Sequence, residues 1–257
     1  IVTGHANRIL RLAEARSATE RLARERALTM IHPYDDPLII AGQGTIAAEF
    51  LSAYPGLDNL VVPVGGGGLI AGICIAAKHL KPAIEIIGVE SELFPSMRNA
   101  LRGETHEIGG RTAAEGIAVA QAGRITRAIA AEYVSDIVLV SENEIERAML
   151  SFMHDQRLVV EGAGAAALAA VVKEPGRYDG RNVGLIVSGG NVDSRILSSI
   201  LLRGLARDGS MVRIRVEIED RPGELAEIAE LIGNSGANIV EVVHQRLFHD
   251  IPVRQAE

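Results

Sequence analysis

The chain has 257 residues, enough for two ordinary domains or for one large α/β domain with a small appendage. Hydrophobic residues make up 47% of the sequence and charged residues 23%, and this balance excludes a wholly disordered chain. The net charge of −7 and the aromatic content of 3% disfavour nucleic acid as a partner, because phosphates attract basic side chains and bases stack on rings.

Short β-rich runs alternate with helical patterns as far as about residue 205. This alternation is typical of βαβ units, and it predicts an α/β fold with an open parallel sheet flanked by helices. The helix that follows Val140 is marked most clearly, because Ser141 and Glu144 have the spacing of a capping box. The predicted strands are Thr29–His32, Asn59–Val64, Ile84–Glu90, Asp136–Val140 and Val183–Val187, and the predicted helices cover residues 9–26, 42–53, 67–80, 142–155, 161–172 and 193–204.

The pattern of hydrophobic residues changes near residue 205, and the segment Gly204–Ser210 is short, polar and bounded by glycines. These features predict two domains, 1–205 and 206–257. Beyond it, Met211–Ile218 and Asn238–Leu247 alternate like strands. Between them Asp220–Gly223 predicts a turn that leads into a helix over Glu224–Asn234. Strand, turn, helix and strand form half of a small α+β module, so we expect that module to be incomplete in this chain.

The lone cysteine and the apolar runs bear on the cellular compartment. Cys74 lies in an apolar run and has no second cysteine to pair with, so we expect a buried thiol. No apolar run reaches the roughly 18 residues that a membrane span requires, and the first residues carry charge instead of a signal-peptide core. We therefore predict a cytoplasmic protein without a membrane partner.

Four consecutive glycines, Gly65, Gly66, Gly67 and Gly68, separate a buried strand from a helix. Such a turn exposes a row of backbone N–H groups beside the positive end of a helix dipole. The run lacks the lysine of a Walker sequence and the spacing of the dinucleotide fingerprint, which disfavours nucleoside triphosphates and NAD. It predicts an anion-binding loop, with a tight turn for close helix packing as the alternative.

A second candidate is the run Ser188–Asn191, where another strand leads into glycine-rich backbone. Ligands of open α/β sheets gather at the carboxyl ends of the strands, so Ser188 and the four glycines are able to converge on one crevice. The alternative for Ser188 and Asn191 is ordinary turn and helix-capping chemistry.

Six segments occur along the chain in a fixed order: Ile31–Pro37, Ala41–Thr45, Gly65–Gly68, Gly88–Glu90, Glu161–Gly164 and Ser188–Asn191. Together they resemble the threonine dehydratases, or threonine ammonia-lyases, which are pyridoxal-phosphate enzymes of the tryptophan-synthase-β type. The resemblance extends over residues 28–205, and from residue 211 the chain is similar to the first half of an ACT regulatory domain. It implies a partial catalytic domain of fold type II, without the N-terminal third of the family's catalytic region, followed by a partial ACT-like domain.

The resemblance implies that Gly65, Gly66, Gly67 and Gly68, with the amide of Leu69, hold the phosphate of pyridoxal 5'-phosphate. It also implies that the Ser188 hydroxyl meets the pyridine nitrogen. A neutral hydroxyl does not enforce a protonated pyridinium, so loss of a β-hydroxyl is favoured over transamination. Glu161 lies near the ring edge in the family, although a glutamate stabilised at a helix start is an equally good account.

The family's Schiff-base lysine lies in a Ser-x-Lys-x-Arg-Gly segment, and this segment does not occur in the chain. The lysines present are Lys78, Lys81 and Lys173, whose positions at helix ends predict solvated side chains. We therefore expect no catalytic residue in this chain and no activity from it in isolation, although the parent protein is expected to be an ammonia-lyase.

The resemblance also raises the question of a metal at Glu90. Related racemases and dehydratases place a cation between the glutamate of Gly-Val-Glu and an acidic side chain six residues later. That later position is Ser96 here, so we do not expect a strong divalent site. The histidines show no metal-ligand spacing, and we assign no metal.

The function implied by the resemblance is β-elimination and deamination of L-threonine to 2-oxobutanoate and ammonia, with serine as a secondary substrate. It implies a homo-oligomer under amino-acid control. Serine racemase or serine dehydratase is the alternative among enzymes, and a non-catalytic amino-acid-binding regulatory module is the alternative outside them. ACT domains bind free amino acids at positions that correspond here to Arg221, Pro222, Gly223, Glu224, Leu225 and Asn238.

Overall fold

A computed structural model of the protein describes residues 12–219, 221–243 and 255–256. The chain divides into two compact units, Ile1–Gly204 and Leu205–Glu257. In the described part of the chain, no helix is both long enough and apolar enough to cross a membrane.

The first unit is built on a four-stranded parallel sheet with the strand order β3-β2-β1-β4. Val61 of the first strand pairs with Ile87 on one side and with Leu185 on the other, so the first strand lies inside the sheet. The predicted fold class, an open parallel α/β sheet flanked by helices, is confirmed. The strands are β1 (Asn59–Pro63), β2 (Glu85–Ser91), β3 (Asp136–Val140) and β4 (Val183–Leu185).

Helices cover both faces of this sheet. Successive strand residues point to opposite faces, so Val61 packs with one group of helices, α6, α7 and α8, while Leu60 and Val62 pack with the other, α2, α3 and α5. The helices are α1 (Leu12–Glu25), α2 (Pro37–Ala53), α3 (Gly68–Leu80), α4 (Ser96–Arg102), α5 (Arg124–Tyr133), α6 (Glu142–Gln156), α7 (Gly162–Lys173) and α8 (Ser194–Arg207), with short 3-10 turns at Glu115–Ile117 and Pro175–Tyr178.

A predicted strand and a predicted helix start near the amino terminus are wrong. Thr29–His32 forms no strand, and instead the Nδ1 atom of His32 accepts hydrogen bonds from the backbone N–H groups of Tyr34 and Asp35, which fold the chain into a turn. Helix α2 begins five residues before the predicted start, because Asp36 caps it and Pro37 has the fixed φ that suits a first helical turn. Residues 9–11 of the first predicted helix lie outside the described residues.

Helices α4 and α5 were not predicted from the sequence. Both are short, with 7 and 10 residues, and neither has a side-chain hydrogen bond from its own N-cap residue, Pro95 or Gly123. Their first N–H groups bond instead to other carboxylates: Glu90, at the end of the preceding strand, for α4, and Asp35, about 90 residues away in sequence, for α5. A local sequence window therefore contains no start signal for α5, and for α4 the capping side chain is a strand residue instead of the N-cap residue that a start signal requires.

The second unit contains helix α9 (Glu224–Asn234), which has the predicted bounds. Its strands are β5 (Ile218–Glu219) and β6 (Gln255–Ala256), which pair antiparallel. The predicted strand Met211–Ile218 is wrong over residues 211–217, because alternating side chains define a strand only where a neighbouring strand accepts its backbone hydrogen bonds. The predicted strand Asn238–Leu247 is wrong over residues 238–243. Its remaining residues, and Asp220 of the predicted turn, lie outside the described residues.

Candidate functional site

The glycine loop joins the carboxyl end of β1 to the first turn of α3. Gly67 has a φ of 95°, a backbone conformation that favours glycine. A Cβ atom on Gly67 would lie 2.5 Å from the Cε of Met97 and 2.8 Å from the Oγ1 of Thr126. Close packing on this side therefore excludes side chains from the loop, as the alternative of a tight turn predicts.

The backbone N–H groups of the loop are nevertheless available to a ligand. Among the described residues, none of the five N–H groups from Gly65 to Leu69 has a hydrogen-bond acceptor, although Gly66, Gly67 and Gly68 are buried. Helix α3 begins at Gly68, and its positive end adds to their partial charges. Buried N–H groups without acceptors are costly, and an anion would satisfy them. The loop therefore fits a phosphate group.

Ser188 lies at the same edge of the sheet as the loop. Strand β4 is the neighbour of β1, with Val61 opposite Leu185, and the Ile186 N–H donates to the Val61 carbonyl at 3.0 Å. Because the strands are parallel, both the loop and Ser188 follow the carboxyl ends of adjacent strands. The structure thus brings the two predicted parts of the site together, while the roles of these residues stay a prediction.

Glu161 supports the turn that contains Ser188. It precedes α7, its N–H donates to the Gly189 carbonyl at 3.3 Å, and its Oε2 accepts from the Asn191 N–H at 3.1 Å. Gly189 has a φ of 95°, and a Cβ there would collide with the Glu161 carboxylate. The structure thus assigns Glu161 a contact with the Ser188–Asn191 turn in addition to its place at a helix start.

Tyr34 packs on the glycine loop, a contact that sequence reasoning missed. The Tyr34 ring fills the space that a Cβ on Gly66 would need, and the Tyr34 backbone and Cβ lie against Gly68. The Tyr34 hydroxyl donates to the Gln121 carbonyl at 3.2 Å, which fixes the ring beside the loop. The segment Ile31–Pro37 contributed to the family resemblance, but no local pattern connects it to the glycines.

Asp35, the next residue, caps helix α5. Its carboxylate accepts hydrogen bonds from the backbone N–H groups of Arg124, Ile125 and Thr126 at 2.9, 2.7 and 3.2 Å. Burial acts to raise the pKa of Asp35, but these three donors outweigh it, so the pKa lies below its ordinary value. Asp35 is therefore a charged cap that fixes the start of α5 beside the loop.

Glu90 is a second carboxylate that caps a helix of which it is not the N-cap residue. Its side chain is fully buried and accepts from the N–H groups of Met97 at 2.7 Å and Arg98 at 2.9 Å, with the Ser96 hydroxyl at 3.5 Å. Burial raises the pKa of Glu90 to about 7, although these hydrogen bonds act in the opposite direction. The described residues contain no group of three His, Cys, Asp or Glu side chains that could hold a metal ion.

Lys78 and Lys81 lie at the amino ends of the strands, and Lys173 lies beside the carboxyl end of the outer strand β3. Lys78 is ten residues along α3 from Gly68, which corresponds to roughly 15 Å. Its Nζ donates to the Pro82 carbonyl, and Lys81 donates to two other backbone carbonyls. Lys78 and Lys81 are half-buried, and Lys173 is exposed. Lys173 donates to the Leu139 carbonyl of β3 at 2.8 Å, and β3 and β4 are the two outer strands of the sheet.

A cleft of about 570 Å³ lies at the opposite edge of the sheet. Residues that precede or begin the strands line it, among them Asp58, Glu85, Ser135 and Arg181. None of the predicted cofactor-binding residues lines this cleft. This cleft and the glycine loop are therefore separate features.

The predicted effector residues belong to the second unit. Arg221 forms an ion pair with Glu219 at 2.7 Å, and Gly223, with a φ of 103°, precedes α9. Glu224 and Leu225 open the helix, while Asn238 is exposed. Pro222 stands in the turn between Arg221 and Gly223. Effector binding by these residues stays a prediction.

Comparisons with known proteins show the family of this chain. The family model described as "Pyridoxal-phosphate dependent enzyme" matches residues 4–189. The L-threonine ammonia-lyase of Thermotoga maritima is 39% identical over 242 residues, which cover 93% of this chain and 60% of that protein. The chain spans about 60% of the length of the curated relatives it matches.

Solved structures show the same fold. The processed form of threonine deaminase isoform 2 from Solanum lycopersicum superposes with a TM-score of 0.69 at 35% identity, covering 75% of this chain and 55% of that one. Serine racemase from Dictyostelium discoideum superposes with a TM-score of 0.63 at 36% identity, covering 70% and 59%. The matched residues include the glycine loop and the strands on either side of it. The chain belongs to the family of pyridoxal-phosphate dependent enzymes.

Proposed function

We propose that the protein containing this chain is an ammonia-lyase that uses pyridoxal 5'-phosphate to convert L-threonine into 2-oxobutanoate and ammonia. The observation that carries the proposal is the row of N–H groups without acceptors from Gly65 to Leu69, on the strand next to the one that leads to Ser188. The choice of threonine is supported by the relatives named L-threonine ammonia-lyase.

In this proposal the N–H groups of Gly65, Gly66, Gly67, Gly68 and Leu69 bind the phosphate, and the Ser188 hydroxyl bonds to the pyridine nitrogen. When bound, the cofactor supplies the electron sink that makes removal of the substrate α-proton feasible. Ser188 leaves the nitrogen without a full positive charge, which favours departure of the β-hydroxyl. Glu161 holds the Ser188 turn in register.

The chain itself supplies binding groups for the cofactor. Its three lysines donate to backbone carbonyls outside the glycine loop and the Ser188–Asn191 turn. We propose that a lysine outside this chain moves the α-proton in the complete protein. The experiment is a keto-acid assay on the complete protein with L-threonine and L-serine. We expect 2-oxobutanoate from threonine at the higher rate, and failure to form any keto acid would contradict the proposal.

Serine racemase activity is the second candidate, favoured by the match to serine racemase from Dictyostelium discoideum at 36% identity. Chiral chromatography of the same reactions separates the two activities. Release of D-serine without keto acid would establish a racemase, whereas ammonia released in equal amounts with keto acid would establish the lyase.

The proposed role of Ser188 is testable on this chain without turnover. We expect Ser188→Ala to weaken binding of pyridoxine 5'-phosphate about 5- to 10-fold, since one hydrogen bond is lost. Equilibrium dialysis measures this affinity without an aldehyde that reacts with lysines. Ser199→Ala is the matched control, because the Ser199 hydroxyl bonds within α8 to the Arg195 carbonyl. Equal affinities of the two variants would refute the role of Ser188.

We further propose that the tail binds an amino-acid effector through Arg221, Pro222, Gly223, Glu224, Leu225 and Asn238, in a cytoplasmic homo-oligomer. The proposal is supported by the turn at Gly223, whose positive φ brings backbone N–H groups to the start of α9. Calorimetric titration of the complete protein with isoleucine and with valine tests it. Binding that disappears in a Gly223→Val variant is expected, and a protein that binds neither amino acid would contradict this part of the proposal.

A further inference from the structure

The peptide unit between Gly66 and Gly67 is held from one side by helix α5. The Gly66 carbonyl accepts two hydrogen bonds, one from the Thr126 hydroxyl at 2.7 Å and one from the Gly123 N–H at 3.1 Å. Thr126 is fully buried. A trans peptide is planar, with its carbonyl and N–H on opposite sides, so fixing this carbonyl also fixes the direction of the Gly67 N–H.

Thr126 is in turn held by Asp35. The carboxylate of Asp35 accepts from three successive N–H groups at the start of α5, and the last of them belongs to Thr126. The same segment places the Tyr34 ring against the loop. A chain of contacts therefore runs from Asp35 through the first turn of α5 to the Gly66 carbonyl.

From this geometry we propose that Thr126 and Asp35 are positioning residues for the phosphate of the cofactor. Neither is required to touch the phosphate. Thr126 holds the Gly66–Gly67 peptide so that its N–H faces the anion, and Asp35 holds Thr126 at hydrogen-bond distance. This inference rests on the proposed function, because the anion that these N–H groups face is the phosphate of the proposed cofactor.

A glycine-rich loop needs such support. Glycine has more backbone freedom than any other residue, so four in succession lose much conformational entropy when they adopt one conformation. If the loop became ordered only when its ligand bound, this loss of entropy would weaken binding. Hydrogen bonds from a helix that is already fixed order the loop in advance.

The test compares two ligands that contain a phosphate group with one that does not. We expect Thr126→Val, which keeps the side-chain shape and removes the hydroxyl, to weaken binding of inorganic phosphate and of pyridoxine 5'-phosphate about 5- to 10-fold. Binding of pyridoxine, which lacks the phosphate, is expected to stay within about 2-fold of the original chain. Titrations of the complete 257-residue chain followed by NMR measure all three affinities.

Three further variants separate positioning from general damage. Thr126→Ser restores the hydroxyl and is expected to bind phosphate like the original chain. Thr45→Val is the matched control, since the exposed Thr45 bonds only to a carbonyl within α2. If Thr126→Val does not fold, Asp35→Asn carries the test, with the same loss for phosphate-bearing ligands and none for pyridoxine.

The outcomes are distinguishable. Equal phosphate affinity in Thr126→Val and the original chain would overturn the inference and leave the proposed function standing. So would a loss that affects pyridoxine as much as pyridoxine 5'-phosphate, because it would indicate a general loosening of the fold. An original chain that binds neither phosphate nor pyridoxine 5'-phosphate would overturn both the inference and the proposed function.

Discussion

Glu90 shows how one residue acquires a property that its sequence neighbours do not predict. The glutamate lies near the end of a buried strand, and its carboxylate has no exposed surface. Two backbone N–H groups of α4 hold it, but burial still raises its pKa to about 7. A charge in such a place costs free energy that two hydrogen bonds only partly return.

The raised pKa predicts a pH-dependent stability. The folded chain binds the Glu90 proton more tightly than the unfolded chain, so this contribution is fully present below the ordinary pKa of 4.5 and is lost as the pH rises through about 7. We expect Glu90→Gln to remove about 2 kcal/mol of the pH dependence of unfolding between pH 5 and pH 8. Urea denaturation at several pH values measures it.

The exposed neighbour Glu92 provides the comparison. Glu92→Gln should follow the slope of the original chain. Parallel curves for Glu90→Gln and the original chain would show that Glu90 does not titrate in this range.

At the scale of elements, helices α2 and α3 cross at two glycines. A Cβ on Gly44 would lie 3.0 Å from the Gly72 carbonyl oxygen, and a Cβ on Gly72 would collide with the Ile40 carbonyl and lie 2.8 Å from the Gly44 nitrogen. Backbone atoms cannot move aside as a side chain can. The close crossing fixes α3, and with it the glycine loop at its amino end.

The crossing predicts a large effect from a small substitution. We expect Gly72→Ala to destabilise the chain by about 2 to 3 kcal/mol, because the added methyl group must push two helix backbones apart. Gly42→Ala, in the same helix as Gly44 but with nothing within 4 Å of the added atom, should instead be neutral or stabilising, as alanine favours helix. Thermal unfolding of the two variants decides the question, and equal melting temperatures would contradict the close crossing.

The starts of the helices show which capping interactions are local in sequence and which depend on the tertiary structure. The capping box of Ser141 and Glu144 is confirmed, with the Ser141 hydroxyl accepting from the Glu144 N–H, because both partners lie within four residues. Asp35 performs the same task for α5 from about 90 residues away, and Glu90 performs it for α4 from the end of the preceding strand, not from the N-cap position. The missed helices are those whose capping side chain is not the N-cap residue itself.

At the scale of the whole molecule, the two units differ in burial. The strands of the first unit are largely buried and pack with helices on both sides, whereas α9 of the second unit has no buried residue. Local opening depends on how much apolar surface an element buries. The two units are therefore expected to differ in local stability.

Hydrogen exchange measures this difference. We expect amides of α9 to exchange at least about 100-fold faster than those of α3 and α7, since opening α9 exposes little new apolar surface. Exchange is read by mass spectrometry on peptides from each helix. Comparable protection in α9 and α3 would show that α9 is covered by a further surface.

The sequence alone predicted the four strands of the sheet and the helices α3, α6, α7 and α8, and it predicted the glycine loop as an anion-binding loop, because these predictions depend on side chains close together in the chain. Only the tertiary structure decided that Ser188 follows the strand next to the one that leads into that loop, and that Lys78, Lys81 and Lys173 bond to backbone carbonyls outside that loop. It also decided that the Thr126 hydroxyl donates to the Gly66 carbonyl, since Gly66 is separated from Thr126 by 60 residues. Strand neighbours and remote caps are set by packing across the sheet, which no local pattern encodes.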